Sequence, residues 1–221
     1  MPVFYLDHPT EFPPTHLAEE DGLLAVGGDL STERLIAAYT KGIFPWFNED
    51  DPYLWWSPAP RFILLPEELH ISRSMRRKIN KDLFKVTFNH CFDDVITNCQ
   101  QIPRSDQPGT WITDEMKSAY IQLHKLGYAH SVEVWNSDRL VGGIYGIAIG
   151  QVFFGESMFS FESNASKYGI IHFIKKMPDF GLNILDCQMK TKHMINLGGK
   201  EISREGFESY LTDSAFKVTL S

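Results

Sequence analysis

Residues 129–160, AHSVEVWNSDRLVGGIYGIAIGQVFFGESMFS, give the clearest indication of how this chain folds. It holds three runs rich in β-branched and aromatic residues, over 129–136, 140–150 and 151–160, and these runs predict three successive strands. Further elements are predicted on both sides of this segment: a helix over 113–127, a helix over 164–177 and a strand over 182–189. Strands and helices therefore mix along the chain, which predicts an α+β fold.

The first 60 residues have a different character from the rest. They contain a short apolar strand, a Gly27–Gly28 turn and a helix that ends at Gly42, and a segment rich in proline and tryptophan follows. From about residue 61 the pattern becomes regular, with strands and helices in turn. We therefore predict a small N-terminal domain over 1–60 and a larger domain over 61–221.

Composition excludes several classes of protein. The chain has 221 residues, of which 43% are hydrophobic and 22% charged, as in ordinary globular proteins. It has no apolar run of membrane-spanning length, and its N-terminus lacks the pattern of a signal peptide. Its three cysteines are too few for a disulfide framework and form no metal-binding C-x-x-C pair, namely Cys91, Cys99 and Cys187. We expect a cytoplasmic protein with no membrane segment and no metal site.

Charge is unevenly distributed. The net charge of −7 argues against a protein that coats nucleic acid, and residues 1–51 hold ten acids against two bases. Residues 70–85 are instead strongly basic, and they contain Arg73, Arg76, Arg77 and Lys81. Two interpretations of this stretch stay open: a solvated helix face, or a local patch that contacts phosphates.

An acidic and an amide side chain interrupt the apolar strand over 182–189. Strand alternation places Asp186 and Gln188 on one face with Ile184, and Leu185 on the other. Glu156, in the preceding hairpin, could approach Asp186 across neighbouring strands. An acid within an apolar strand is costly unless it is bonded or functional. The group is therefore either an acid–base site or a buried polar network.

Two other chemistries fit the sequence less well. GESMF resembles a nucleophile elbow, and Ser157, Asp186 and His193 follow the order of a hydrolase triad. However, Phe159 occupies a position where the elbow needs a small residue, and no helix follows Ser157 directly. The glycine-rich LVGGIYG resembles the start of a coenzyme A loop, but Ile144 stands at its last position and a strand follows, which weakens that interpretation.

A series of strings resembles one known family. GLLAVGGDLS, YTKGIFPWF, LWWSPAPR, LHISRSMRR, GTWIT, HSVEVW, LVGGIYG, GESMFS, NASK and LDCQ occur in this order over 22–198, and together they resemble the bacterial leucyl/phenylalanyl-tRNA–protein transferases. The resemblance implies a small N-terminal domain followed by an N-acetyltransferase (GNAT)-like domain with a mixed sheet. It also implies an aminoacyltransferase without metal or coenzyme A, and hence without a cofactor.

The activity that the resemblance implies is peptide-bond formation. Leu, Phe or sometimes Met would pass from aminoacyl-tRNA to the α-amino group of proteins that begin with Arg or Lys, which marks them for degradation. The partners would be aminoacyl-tRNA and those acceptor proteins, and we expect the chain to act as a monomer.

The same resemblance assigns roles to individual residues. Asp186, Gln188 and Glu156 would be catalytic. The terminal adenosine of the tRNA would stack on Trp46, Trp111 and Phe153. The amino-acid pocket would be lined by Ile144, Ile170, Phe173, Met177 and Leu185. The tRNA backbone would contact Arg73, Arg76, Arg77 and Lys81.

Some points stay open at this stage. In one scheme Gln188 would hold the attacking amine, while Asp186 polarises Gln188 or accepts the proton. In the rival scheme Asp186 has only a positioning role, and a hydroxyl of the tRNA ribose relays the proton. A pocket role for Leu185 requires a bulge or a pocket behind the sheet, since alternation turns it away from Asp186. Two other functions remain as alternatives: an idle module that binds the 3′ end of tRNA, and an N-acetyltransferase that uses acyl-coenzyme A.

Overall fold

The computed structural model describes residues 4–8, 10–102, 111–211 and 217–220. The strands are β1 (Phe4–Tyr5), β2 (Leu23–Val26), β3 (Phe44–Pro45), β4 (Leu54–Trp56), β5 (Arg61–Leu64), β6 (Lys85–Phe88), β7 (Ala129–Asn136), β8 (Arg139–Ile149), β9 (Val152–Ser160), β10 (Ile184–Gln188) and β11 (Lys200–Ile202). The α-helices are α1 (Thr32–Thr40), α2 (Arg73–Ile79), α3 (Phe92–Gln101), α4 (Asp114–Lys125), α5 (Ala165–Lys176), α6 (Lys192–Asn196) and α7 (Arg204–Glu208).

The first sheet has four strands in the order β1-β2-β4-β3. Gly27 and Gly28 both have positive φ, and this turn leads into α1, whose first turn is capped by the side chain of Ser31. Trp55 is fully buried in this part, and its indole N–H donates to the carbonyl of Gly27 at 2.9 Å. The strand, the glycine turn and the helix predicted here are confirmed.

The second sheet has seven strands in the order β11-β5-β10-β9-β8-β7-β6. Every neighbouring pair is antiparallel except β9 and β10, which are parallel. Helices α3 and α4 pack on one face and α5 on the other, and each face is covered by its own apolar cluster. The predicted α+β class with a mixed sheet is confirmed, as are the three strands over 129–160.

The cluster beneath α3 and α4 also contains residues of the first sheet and of α1. The two sheets therefore share one continuous core, with the chain passing from one to the other between Trp56 and Arg61. Further contacts hold this junction closed: Arg204 of α7 donates to the Ser57 hydroxyl at 2.9 Å, and Thr15 is hydrogen-bonded to Glu208. A domain boundary at residue 60 stays a prediction. Within the described ranges, no helix is long and apolar enough to cross a membrane.

A gap in the second sheet opens between its two parallel strands. β10 pairs with β9 only over three residues, from Ile184 opposite Val152 to Asp186 opposite Phe154. Beyond that point β9 continues to Ser160 beside β8, while β10 follows β5. Because the two strands separate there, side chains from both faces of β10 reach the same cleft.

Candidate active site

The cleft that opens between β9 and β10 has a volume of about 390 Å³. Three kinds of side chain line it. The apolar part contains Ile144, Phe153, Met158, Ile170, Phe173 and Leu185. The polar part contains Glu156, Ser157, Asp186, Gln188, Thr191 and His193. Aromatic side chains from the first sheet and from the segment before α4 complete it, namely Phe44, Trp46 and Trp111.

Two β-bulges place the polar groups at the mouth of this gap. Along the β8–β9 ladder, Tyr145 pairs with Ser157 and Gly146 with Gly155, so Glu156 is the extra residue. Along β10–β5 the register shifts between Asp186 and Gln188. A bulge bends its strand and redirects a side chain, and bulges are common beside active sites. Both bulges therefore act at the point where the strands separate.

Asp186 is fully buried and accepts three hydrogen bonds. The Arg61 guanidinium donates through Nε to Oδ1 at 2.8 Å and through Nη2 to Oδ2 at 2.7 Å. The backbone N–H of Gln188 donates to the same Oδ1 at 2.9 Å. Arg61 is itself buried between the rings of Phe44 and Phe207, at 4.9 and 4.6 Å from their centroids. This bidentate pair fixes the start of the bulge in β10.

Glu156 lies deep in the molecule but is partly exposed to the cleft. Its Oε1 accepts a hydrogen bond from the hydroxyl of Tyr39 at 2.8 Å, and its Oε2 accepts one from Tyr120 at 3.2 Å. The two tyrosine hydroxyls also contact each other. Burial raises the pKa of Glu156 to about 7, although the two tyrosine hydrogen bonds oppose this shift.

Gln188 connects the two carboxylates. It has a positive φ of 57°, which is unusual for a residue with a side chain, and the N–H of Met189 reaches back to the carbonyl of Cys187. In this conformation the Gln188 side-chain amide donates to Oε1 of Glu156 at 3.3 Å. Glu156 and Asp186 are therefore linked through Gln188. The bulge in β10, and not regular strand alternation, brings Gln188 to this position.

The apolar wall gathers four of the five residues assigned to the amino-acid pocket. Ile144, Ile170, Phe173 and Leu185 line the cleft, with Leu185 beside Asp186 because the gap opens to both faces of β10. Met177 is fully buried at the end of α5 and is absent from the cleft lining. The α5 helix ends there, so this side chain packs in the core.

The aromatic residues assigned to adenosine divide into two settings. Trp46 and Trp111 line the cleft; Trp46 is half-buried, with its ring packed edge-on against Trp56 at 5.7 Å. Phe153 is fully buried, and its ring lies 4.4 Å from that of Phe173, within the apolar wall. Phe153 thus resembles a residue of the amino-acid pocket more than one of an exposed stacking surface.

The basic residues lie outside the cleft. Arg73, Arg76, Arg77 and Lys81 are exposed on and just after α2. The segment before α2 is fixed beside the cleft, because the N–H of His70 donates to the carbonyl of Leu197 at 2.8 Å. Leu197 ends α6, which contributes His193 to the cleft lining. The patch is therefore connected to the cleft through α6.

The geometry argues against the other chemistries considered. Ser157 lies inside β9, so the strand-to-helix turn of a nucleophile elbow is missing at that position. The glycines of LVGGIYG lie inside β8, where a Cβ on Gly142 would come within 2.8 Å of Ala165 and one on Gly143 within 2.6 Å of Phe159. These glycines permit close packing. Across the described ranges, no three acidic, histidine or cysteine side chains form a metal-binding group.

Sequence reasoning missed three residues of this site. Arg61 stands at the start of an apolar strand, and a buried cation needs a partner. The sequence could therefore have marked Arg61 as paired, but it could not show that the partner is Asp186. Tyr39 and Tyr120 lie on the apolar faces of α1 and α4, where they look like core residues. Their hydroxyls reveal a role only when both helices are placed against Glu156.

Comparison with known proteins identifies the family. The family model described as leucyl/phenylalanyl-tRNA protein transferase matches residues 63–212, and the model for the N-terminal domain of that family matches 28–59. Among solved structures, the chain is similar to a GCN5-related N-acetyltransferase from Kribbella flavida, with 8% identity, a TM-score of 0.36 and coverage of 76% of this chain and 59% of that one. That likeness is too weak to add to the fold described above.

Curated relatives are much more similar. A protein of Syntrophobacter fumaroxidans named leucyl/phenylalanyl-tRNA–protein transferase is 51% identical over 218 residues, covering 99% of this chain and 93% of the relative. Proteins of the same name from Hydrogenovibrio crunogenus and Flavobacterium johnsoniae are 56% and 54% identical; they cover 97% and 95% of this chain and 85% and 99% of their own length. This chain therefore belongs to the leucyl/phenylalanyl-tRNA–protein transferase family.

Proposed function

We propose that this chain transfers Leu, Phe or Met from aminoacyl-tRNA to the α-amino group of proteins that begin with Arg or Lys, and so marks them for degradation in the cytoplasm. One observation carries the proposal. The apolar part of the cleft lies directly beside the polar group formed by Glu156, Asp186 and Gln188. This apolar part suits an apolar side chain, with its ester carbonyl left at the polar group.

The donor end of the tRNA fits the lining of the cleft. The apolar wall suits the flexible or flat side chains of Leu, Met and Phe, whereas a donor branched at Cβ would crowd the entrance. The terminal adenosine would stack on Trp46 and Trp111, which contributes about 1–3 kcal/mol per base. Arg76, Arg77 and their basic neighbours on α2 would contact the phosphate backbone, which carries no sequence information and suits several tRNAs.

The acceptor fits the charge of the cleft. The charge of Asp186 is balanced by Arg61, whereas the hydroxyl and amide partners of Glu156 are neutral. Glu156 is thus the carboxylate that remains for an incoming ammonium group. Because the aminoacyl ester is already activated, holding the amine against the carbonyl would supply much of the acceleration without a cofactor. The chain would act as a monomer.

A transfer assay tests the proposal. Radiolabelled Leu-tRNA is incubated with a peptide beginning with Arg, with the same peptide acetylated at its N-terminus, and with acyl-coenzyme A in place of the tRNA. We expect label only in the peptide with the free amine, and a loss of roughly 10²-fold or more in Asp186→Ala. Tight tRNA binding without transfer from Leu-, Phe- or Met-tRNA would instead indicate an idle binding module.

A further inference from the structure

We propose that Glu156, and not Asp186, takes the proton from the attacking amine and returns it to the ribose oxygen of the tRNA. This inference rests on the aminoacyl transfer proposed above. Two carboxylates lie at the cleft, and the reaction needs one of them to bind a proton transiently. Their surroundings differ enough to assign the role.

Asp186 is poorly suited to gain a proton, because it is buried and already paired with a permanent cation. Its two oxygens receive three hydrogen bonds, two from Arg61 and one from the backbone of Gln188, and its side chain is 0% exposed. A guanidinium and a backbone amide can only donate, and neither can rotate to accept a proton that Asp186 had gained. Protonation there would break a buried ion pair. Asp186 is therefore a positioning residue that holds the bulge carrying Gln188.

Glu156 has partners that can rearrange. Its carboxylate and the hydroxyls of Tyr39 and Tyr120 form a closed ring of three oxygen–oxygen contacts: Oε1 to Tyr39, Tyr39 to Tyr120, and Tyr120 to Oε2. When Glu156 is ionised, the ring holds two protons for three contacts. A proton gained by the carboxylate supplies the third, because Oε2 then donates to Tyr120, Tyr120 to Tyr39, and Tyr39 to Oε1.

The charged and titratable groups around Glu156 agree with this role. The groups that act on it come from four elements, α1, α4, β5 and β10, and are Tyr39, Tyr120, Arg61 and Asp186. Burial is the largest influence and raises the pKa of Glu156 to about 7. A base is most effective when its pKa lies near the working pH. Glu156 also faces the cleft and is partly exposed, so that an amine can reach it.

The proton transfer balances within the cleft. The acceptor's ammonium first loses one proton to solvent. The amine nitrogen then attacks the ester carbonyl carbon, and as the C–N bond forms its second proton passes to Glu156. As the bond between the carbonyl carbon and the ribose oxygen breaks, Glu156 gives this proton to that oxygen. The products are an amide and a free ribose hydroxyl, and Glu156 ends in its original state.

Single-turnover transfer from bound Leu-tRNA tests the inference. The acceptor is a peptide whose N-terminus is a hydrazide, which is unprotonated across the pH range used, so that the nucleophile's own titration is removed. We expect the wild-type rate to rise with pH to a plateau, with a midpoint near the pKa of about 7. Glu156→Gln should lower the plateau roughly 10²–10⁴-fold and remove the pH dependence.

Three further variants separate proton transfer from a structural role. Asp186→Asn should transfer slowly but keep a pH dependence, with its midpoint moved to lower pH because the negative charge of Asp186 raises the pKa of Glu156. Tyr39→Phe and Tyr120→Phe should each move the midpoint to higher pH, because each removes a hydrogen bond that lowers the pKa of Glu156. A loss of packing alone would change the rate without moving the midpoint. Circular dichroism and Leu-tRNA affinity check that each variant folds and binds.

The outcomes are distinguishable. His193→Gln is also tested, because His193 is the histidine that lines the cleft. An active wild type whose pH dependence survives in Glu156→Gln, or disappears in Asp186→Asn or His193→Gln, overturns the assignment to Glu156 and leaves the transferase function intact. A folded wild type that binds Leu-tRNA but transfers nothing to either the amine or the hydrazide peptide overturns both.

Discussion

The side chains of Arg61 and Asp186 form a two-point ion pair in the interior, with N–O distances of 2.8 and 2.7 Å, although 125 positions separate the two residues in the chain. Arg61 begins the strand that follows the N-terminal sheet, and Asp186 is the last residue of β10 that pairs with β9. The pair therefore ties the junction of the two sheets to the floor of the cleft. Its loss should affect stability and activity in separable ways.

The first prediction concerns this pair. Arg61→Met leaves Asp186 buried and unpaired, which should lower the free energy of unfolding by about 3–5 kcal/mol. Arg61→Met combined with Asp186→Leu should recover most of that stability, because an apolar pair of similar volume replaces the ion pair. The double variant should nevertheless stay inactive, since Gln188 loses its anchor. Urea unfolding and the transfer rate are measured on the same samples.

Two controls accompany that prediction. Arg34→Met breaks another buried arginine's ion pair, with Asp29, away from the cleft, and Asp29 is exposed. It should cost less stability and leave the transfer rate of the folded fraction unchanged. Arg61→Lys keeps the charge without the two-point geometry and should lower kcat while leaving the KM for Leu-tRNA close to that of the wild type. Full activity in folded Arg61→Met would contradict the positioning role.

A second prediction concerns the pH dependence of stability. The pKa of Glu156 is about 7 in the folded protein against a reference value of 4.5. Between these values the folded protein binds more protons than the unfolded chain, so the contribution of Glu156 to stability falls as pH rises through that window. Glu156→Gln should therefore stabilise the protein at about pH 8 by roughly 1–3 kcal/mol, after allowance for its exposure to the cleft, and have little effect near pH 4.5.

Urea unfolding at several pH values measures this difference. The comparison is made between the variant and the wild type at each pH, because burial also lowers the pKa of His130 to about 4. That shift destabilises the folded protein as pH falls below about 6.5, and it cancels in the difference. A stability difference that does not change between pH 4.5 and 8 would show that Glu156 titrates normally.

A third prediction concerns donor choice. Gly155 lines the cleft, and a Cβ added there would lie 3.4 Å from Leu185 and 3.5 Å from the Asp186 carbonyl, which is ordinary contact. Gly155→Ala should therefore fold and should narrow the cleft by one methyl group. The kcat/KM for Phe-tRNA should fall more than that for Leu-tRNA, by a further factor of roughly 10. Equal effects on both donors would place their side chains elsewhere.

A fourth prediction concerns the basic patch on α2. Arg76→Ala and Arg77→Ala should each weaken tRNA binding and reduce the slope of log affinity against log salt by roughly 0.7–0.9 if each contacts one phosphate. Lys125→Ala, on the exposed end of α4, is the matched control and should leave the slope unchanged. The measurement is Leu-tRNA binding across a series of salt concentrations. An unchanged slope in the arginine variants would favour the solvated helix face.

Local patterns predicted much of this structure. Runs of β-branched and aromatic residues predicted the strands over 129–160, and the helical pattern over 113–127 predicted α4, because both signals depend on neighbours in sequence. An acid within the apolar strand marked Asp186. The bulges at Glu156 and after Asp186 were not predictable, since they depend on register between strands distant in sequence.

The partners of the carboxylates were hidden for the same reason. Arg61 and Asp186 are far apart in sequence, and Tyr39 and Tyr120 lie on helices whose apolar faces give no sign that two hydroxyls will converge. Met177 was assigned to the pocket by the resemblance alone; it is fully buried just after α5 and absent from the cleft lining, and its pocket role stays a prediction. Tertiary packing, not local pattern, decides such positions.

Mass spectrometry of the acceptor peptide shows directly whether this protein transfers an amino acid to a basic N-terminus. Leu-tRNA and the wild-type protein are mixed with equal amounts of peptides that begin with Arg, Lys, Glu and acetylated Arg. We expect the Arg and Lys peptides each to gain one leucyl residue, which fragmentation places on the N-terminal nitrogen, and the other two to stay unchanged. No mass gain on any peptide, despite tRNA binding, would contradict the proposed transfer.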